Sequence, residues 1–339
     1  MSTILGNPIA LGGGGGNELI VTAPTGSTVT ATKGGITKTA TEKNGTWTFK
    51  GLEAGNWTVT AVKGSESASS VVTVSAETVT LSFKPTASLT AKSGVTYTNG
   101  ISGIYAEKMS LYAEAISNNA SITNATSIVY IDDGANHYKV SIGDQATLAL
   151  NGKNYTFDVI GFNHDTLTTA SVYGSNTATG KAGITFQMHD LFATTYAMNS
   201  SNTNSGGWKN SAMRTSTMAT MKGYLPDDWE AIIKPVNKAS GTGGGSTSGT
   251  ETVSDSCFLL AEVEIFGSAT YSVSGEGSQY AYYKAGNTKA KKVNGSSSIW
   301  WERSPVGGTT SSFCCVAGKG QAANANAGWD EYVSFGFCV

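Results

Sequence analysis

Two Asn-Gly pairs, Asn44-Gly45 and Asn151-Gly152, each sit between runs in which apolar and polar residues alternate. A two-residue type I′ hairpin turn needs positive φ at both central positions, which Asn and Gly tolerate best, so each pair predicts two adjacent antiparallel strands. Around the first pair, Val29 and Ala31 alternate with Thr, as do Trp47 and Phe49, then Trp57, Val59 and Ala61, then Val79, Leu81 and Phe83. Period two is the signature of a half-buried strand. Around the second pair, Ala146 to Leu150 and Tyr155 to Ile160 form the two arms. Such a chain is committed to antiparallel β structure over much of its length.

Composition says where such a protein works. Charged residues are only 14% of the 339, against roughly 25% in an average globular protein. Glycine (42 residues), Ser, Thr and Asn fill the gap, a composition typical of outward-facing β-rich proteins. Seven Trp, 14 Tyr and 11 Phe argue against a disordered chain. A net charge of −2 lacks the basic footprint of a nucleic-acid binder. No stretch approaches the roughly 18 consecutive apolar residues of a membrane span, so membrane insertion is not expected. Met1 to Pro8 has neither a basic n-region nor an apolar h-region, so it does not read as a secretory signal. Outward-facing composition and cytoplasmic synthesis are reconciled by a virion released on lysis, and that localisation is the expectation.

Length predicts two or three domains. Residues 1–16 end in the Gly12–Gly16 run and read either as a flexible anchor docking on another virion protein, through Ile4, Leu5, Ile9 and Leu11, or as a frayed terminus. Residues 17–84 are expected to form a small β-sandwich. Residues 85–139 read as a connector with a helix near 101–118, from the spacing of Ile104, Met109, Leu111, Tyr112 and Ile116, and one use for such a helix is a homo-oligomeric stalk. Asp132-Asp133 before Gly134 reads as a turn, because the spaced carboxylates of a calcium loop are missing. Residues 140–339 form the C-terminal domain. Within it a helix is expected after Trp208, and a second opens at Asp227, which with Glu230 has the spacing of a capping box. Phe258 to Phe266 reads as a core strand.

Groups for chemistry are sparse. His137, His164 and His189 stand in turn-like contexts without a partner at metal-ligand or nucleophile spacing. Cys257, Cys315 and Cys338 read as buried small apolar residues, and the adjacency of Cys314 and Cys315 disfavours both chelation by the pair and a mutual disulfide. No enzyme activity, metal or cofactor is expected.

The last forty residues divide sharply. Trp300-Trp301-Glu302-Arg303-Ser304-Pro305, Phe313 to Val316 and Val333 to Val339 are framework, and short polar residues lie between them. Trp300, Trp301 and Arg303 are expected to be structural, with the Arg stacking and pairing in the core.

Two resemblances add to this reading. The run Trp47-Thr48-Phe49, Gly51-Leu52, Gly55 and Trp57-Thr58-Val59 resembles small modules related to carboxypeptidase-regulatory and PEGA-type domains, which implies a spacer or docking role. Gly206-Gly207-Trp208 with Ser211 and Arg214, Leu225-Pro226, Leu259-Leu260 to Glu264, Trp300 to Pro305 and Val333 to Val339 together resemble the C-type-lectin-like fold. The resemblance is to its formylglycine-generating-enzyme-like branch, found in phage structural proteins. Ser334-Phe335-Gly336-Phe337 departs from the Arg-Pro often carried there. The fold class implied is mainly β and multidomain: an N-terminal β-sandwich, a short helical connector and a C-terminal α+β lectin-like domain.

The same branch includes variable proteins of diversity-generating retroelements, whose changeable side chains lie near the carboxyl end. Residues 307–332 are compatible with that use and equally with an ordinary lectin-fold loop. The candidate ligand-binding residues are Thr310, Ser312, Gln321, Asn324, Asn326, Trp329, Asp330 and Tyr332, with Tyr283 at the rim. Trp and Tyr offer rigid contact area, and Asn and Ser offer adaptable hydrogen bonds, as in antibody paratopes. The function implied is a phage virion protein, in a tail fibre, baseplate or head fibre, that binds a host-surface glycan or protein as a homotrimer. A decoration protein without a ligand and a bacterial adhesin are the alternatives.

Overall fold

Alternation at period two gives the strands Glu18–Thr22, Thr28–Lys33, Thr46–Lys50 and Gly55–Lys63 one apolar face each, and two sheets bury those faces against each other. The computed structural model describes residues 9–10, 18–64, 66–74, 77–80, 85–133, 136–169 and 178–339. The chain divides into two compact units. The first comprises Met1–Thr86, Val95–Thr98 and Ile131–His137, and the second Ala87–Gly94, Asn99–Tyr130 and Tyr138–Val339.

In the first unit a five-stranded sheet runs in the order Ile9–Ala10, Glu77–Thr80, Glu18–Thr22, Thr46–Lys50, Glu42–Lys43. A four-stranded sheet runs Ile36–Thr39, Thr28–Lys33, Gly55–Lys63, Glu66–Val74. Leu19, Val21, Trp47 and Phe49 from one sheet share a core with Val29, Ala31, Trp57, Val59 and Val72 from the other. Asn44 and Gly45 both have positive φ, 51° and 73°, as the hairpin requires. Ile9 and Ala10, expected in a flexible anchor, instead pair with Thr78 and Glu77. The remainder of that anchor, and Leu81 and Phe83 of the expected last strand, lie outside the described residues.

The second unit is built on an all-antiparallel sheet ordered Gln145–Leu150, Lys153–Phe162, Ile184–Met188, Gly336–Cys338, Cys257–Phe258. The carboxyl-terminal strand is therefore interior to the sheet, where Phe337 packs with Phe157, Phe186 and Trp229. Gly336 is required there, since a Cβ would stand 2.7 Å from the Phe186 carbonyl oxygen. Asn151-Gly152 turns the first hairpin, with φ of 47° and 78°. A separate three-stranded sheet joins Trp300–Pro305, Ser312–Val316 and Ala322–Asn326. Among the described residues no helix is long and apolar enough to cross a membrane.

Three expectations are corrected. The helix Ala106–Ser117 exists, but its apolar stripe of Met109, Tyr112, Ala113 and Ile116 is buried within the second unit rather than offered to another copy. Asn163 Nδ2 ties it down through the carbonyls of Ile116 and Ile122, both at 2.9 Å. Residues 258–266 are not one strand. The chain leaves the sheet after Phe258 and forms the helix Glu262–Phe266, because Glu264 accepts the Ala261 amide at 3.0 Å and Gly267 supplies the left-handed stop. The Asp227–Glu230 capping box is also absent: Asp227 is the first helical residue, the N-cap is Pro226, the Trp229 amide is taken by Asp228 Oδ1 instead, and Glu230 pairs with Lys222.

Candidate ligand-binding face

The framework beneath the face is sealed. Trp300 and Trp301 are fully buried, and their indole N–H groups donate to the carbonyls of Lys289 and Tyr196. Arg303 satisfies its five donors inside the protein: two bonds reach Glu264, and the others reach the carbonyls of Ala239, Leu259 and Glu276. That is the paired, structural arginine the sequence suggested. The residues of the lectin-like resemblance also converge. Asp255 accepts from Trp208 Nε1 and from Arg214 Nε, both at 2.7 Å, while Ser211 Oγ receives the Arg214 amide.

Against this framework the intervening residues turn outward. Thr310, Gln321, Asn324 and Asp330 are exposed, and Trp329 is 55% exposed, a large aromatic left to solvent. Asn324 and Asn326 lie on one face of the edge strand Ala322–Asn326, two residues apart, while Ala325 between them packs inward. Tyr332 is half-buried, and its backbone bridges to that of Trp300. Trp329 donates its amide to the Asn326 carbonyl, so strand and aromatic are joined by one tight turn.

Two candidates do not belong to the face. Tyr283 is buried in the helix Ala281–Lys284, and its hydroxyl donates to Gln187 Oε1 at 2.5 Å. Tyr282 in the same helix and Tyr280 at its N-cap are buried as well. Ser312 is buried too, and its hydroxyl donates to Asn326 Oδ1. It supports a face residue from behind.

The sequence reading missed the loop that holds the face in place. Asn204 is fully buried: its amide N–H donates to Thr310 O, its Nδ2 donates to the carbonyls of Thr309 and Ser312, and its Oδ1 accepts the Gly244 amide. Asn202 Oδ1 accepts the Gly328 amide at 3.0 Å, and the Asn199 amide donates to Ala327 O. The recurrence of Asn at 199, 202 and 204 was the available signal. Asn204→Ala should lower stability by at least about 2 kcal/mol, since several buried backbone groups lose their partner at once; urea unfolding would measure it.

All four cysteines are free and buried, and burial pushes each thiol up, away from thiolate. His189 Nδ1 lies 2.8 Å from Asp158 Oδ2, and this bond raises the imidazole. Burial would raise Asp158, but bonds from His189 and Gln145 hold it below its ordinary value. His189, Asp190, Tyr282, Thr288, Ala290 and Lys292 line a small depression of about 200 Å³. His164 stacks on Tyr280 with ring centroids 3.9 Å apart, and burial lowers its pKa against the opposing pull of Asp165 and Glu264. His164, Asp165 and Glu264 present ligand atoms within 4.8 Å of one another. The Lys238 ammonium stands between the two carboxylates, where a metal ion would have to go.

No curated protein and no solved structure matches the chain. One family model does, over the sheets, helices and loops that build this face: residues 182–332 match the family described as a domain of unknown function, DUF6273.

Proposed function

We propose that this chain is a binding protein of a phage particle, acting without catalysis, whose second unit grips a host-surface glycan or protein. The face is built from Thr310, Gln321, Asn324, Asn326, Trp329, Asp330 and Tyr332. One observation carries the reading. Residues 300–306 and 312–316 are buried without exception, while 321, 324 and 328–330, in the same segment, face solvent. A rigid support under exposed aromatic and amide groups is the arrangement that recognition needs, because little side-chain or loop entropy remains to be lost on binding. The Trp329 ring can cover the apolar face of a sugar or anchor a protein partner, and the Asn and Asp groups can take its hydroxyls or amides. Backbone bonds from Asn199, Asn202 and Asn204 make the fold insensitive to what the exposed side chains are, which suits a segment open to diversification.

The first unit serves as the spacer that docks on other virion proteins, and copies act together, as a trimer by analogy with fibres. Linked heads raise avidity by roughly 10²–10⁴ without new contacts, so weak single sites suffice. The test is a glycan array and a host-cell pull-down with the full chain. Trp329→Ala should weaken binding about 30-fold, the loss of about 2 kcal/mol typical of an aromatic anchor, with the unfolding midpoint unchanged. Undiminished binding by Trp329→Ala and Asn324→Ala together would reject this face. Failure of the unaltered chain to bind any host surface would favour a decoration role.

A further inference from the structure

Lys238 is 1% exposed, and its ammonium has three side-chain acceptors: Asp165 Oδ1 at 2.7 Å, Glu264 Oε1 at 2.7 Å and the Tyr280 hydroxyl at 3.0 Å. The Phe258 ring lies over it, 4.2 Å from nitrogen to centroid. A buried ion pair alone is weak evidence for stability, because desolvation offsets most of the attraction. Here the surroundings go further than an ion pair needs. Asp165 Oδ2 receives the Thr185 hydroxyl at 2.6 Å, a donor aimed at the oxygen that would carry charge if a nucleophile added to Cγ, and the Tyr280 hydroxyl lies 2.9 Å from Oδ2 and 3.0 Å from Oδ1, within reach of either. Glu264 touches the same ammonium and is held in place by Arg303 through both of its oxygens.

We propose that Lys238 and Asp165 become joined by a side-chain amide bond, formed by the folded chain itself with Glu264 relaying protons. The ammonium passes a proton to Glu264, which hands it on to Asp165 Oδ1 as the freed amine adds to Cγ and forms the N–C bond; a second ammonium proton follows to Oδ1 by the same route. Oδ2, held by Thr185 and Tyr280, carries the negative charge of the adduct. The C–Oδ1 bond then breaks, and Oδ1 leaves as water with two of the three ammonium protons. Glu264 ends as it began. One positive and one negative charge disappear together, and no oxidant, reductant or co-reactant is needed.

Two physical arguments favour the reaction. Fixing both groups at contact distance replaces a bimolecular encounter, and well-oriented pairs reach effective molarities of roughly 10⁵–10⁸ M. The product also suits the site better than the reactants. Its N–H can still donate to Glu264, its carbonyl keeps Thr185 and Tyr280, and the remaining charges are the matched Arg303–Glu264 pair. The bond would tie the segment after strand Lys153–Phe162 to strand Val236–Gly241, whatever the exposed face binds.

Intact-mass spectrometry of the full chain under denaturing conditions tests this directly. The expected result is a mass lower than the sequence mass by one water, and a digest containing a branched peptide that carries both Asp165 and Lys238. Lys238→Arg, which keeps the charge but lacks an amine, and Asp165→Ala should both run at full mass. Succinimide formation at Asp133-Gly134 would also remove one water. A loss mapped to that dipeptide, or an unaltered chain at full mass, overturns the proposal and leaves Lys238 in an ordinary ion pair.

Discussion

Arg303→Met is expected to destabilise the second unit by about 3–5 kcal/mol, the range found when one partner of a buried ion pair is removed. The guanidinium is fully buried and makes five hydrogen bonds, two to Glu264 and three to the carbonyls of Ala239, Leu259 and Glu276. Without it, Glu264 keeps its negative charge in the interior but loses the guanidinium that meets both of its oxygens, and three carbonyls lose a donor. A unit of this size has a total stability of about 5–15 kcal/mol, so the change consumes a large part of it. Glu264→Leu should cost a similar amount. The double variant should lose clearly less than the sum, because neither orphaned charge remains. Urea unfolding of the full chain would measure all three; additive losses would mean that Arg303 and Glu264 contribute through packing alone.

Glu302 makes the opposite case, since Glu302→Gln should stabilise the protein at neutral pH. Its carboxyl is fully buried, and neither oxygen has a hydrogen-bond partner. Burial raises its pKa well above the ordinary glutamate value, Glu262 and Glu276 raise it further, and Arg303 opposes them. A raised folded value means that the native state holds a proton which the unfolded state releases. The stability tied to that proton is present in full below the unfolded carboxyl value of about 4.3. It is then lost as pH rises toward the folded value, at about 1.4 kcal/mol per pH unit. Gln carries no proton to lose. The variant should therefore flatten the decline in stability as pH rises above the unfolded carboxyl value and unfold at a higher urea concentration at pH 7. A profile with the same slope in both proteins would show that Glu302 is already charged in the fold.

Much of the architecture was legible locally. Asn44-Gly45 and Asn151-Gly152 each adopt the positive φ that their hairpins require, and Trp47, Phe49, Trp57 and Val59 are buried as alternation demands. Trp300, Trp301 and Arg303 are the buried framework, and Asn324 and Trp329 face outward. Failures came where a segment has little internal pattern or where a partner overrides it. Leu259 to Phe266 is apolar enough for a strand, yet Glu262 is held by the amides of Thr270, Tyr271 and Ser272, and Glu264 by Arg303 and Lys238, which favours a helical turn. Tyr283 has the chemistry of a rim residue, but Gln187, about a hundred residues earlier in the chain, draws its hydroxyl inward.

Periodicity and turn chemistry depend on residues a few positions apart, so strands, hairpins and the split between framework and outward-facing residues can be read before any fold is known. The buried cluster of Asp165, Lys238, Glu264, Tyr280 and Arg303 cannot. Its members come from distant points along the chain, and each alone resembles an ordinary surface residue. Packing brings them within hydrogen-bond distance and removes water from around them. Desolvation and proximity then turn a lysine and an aspartate into a charge pair with a bond to form.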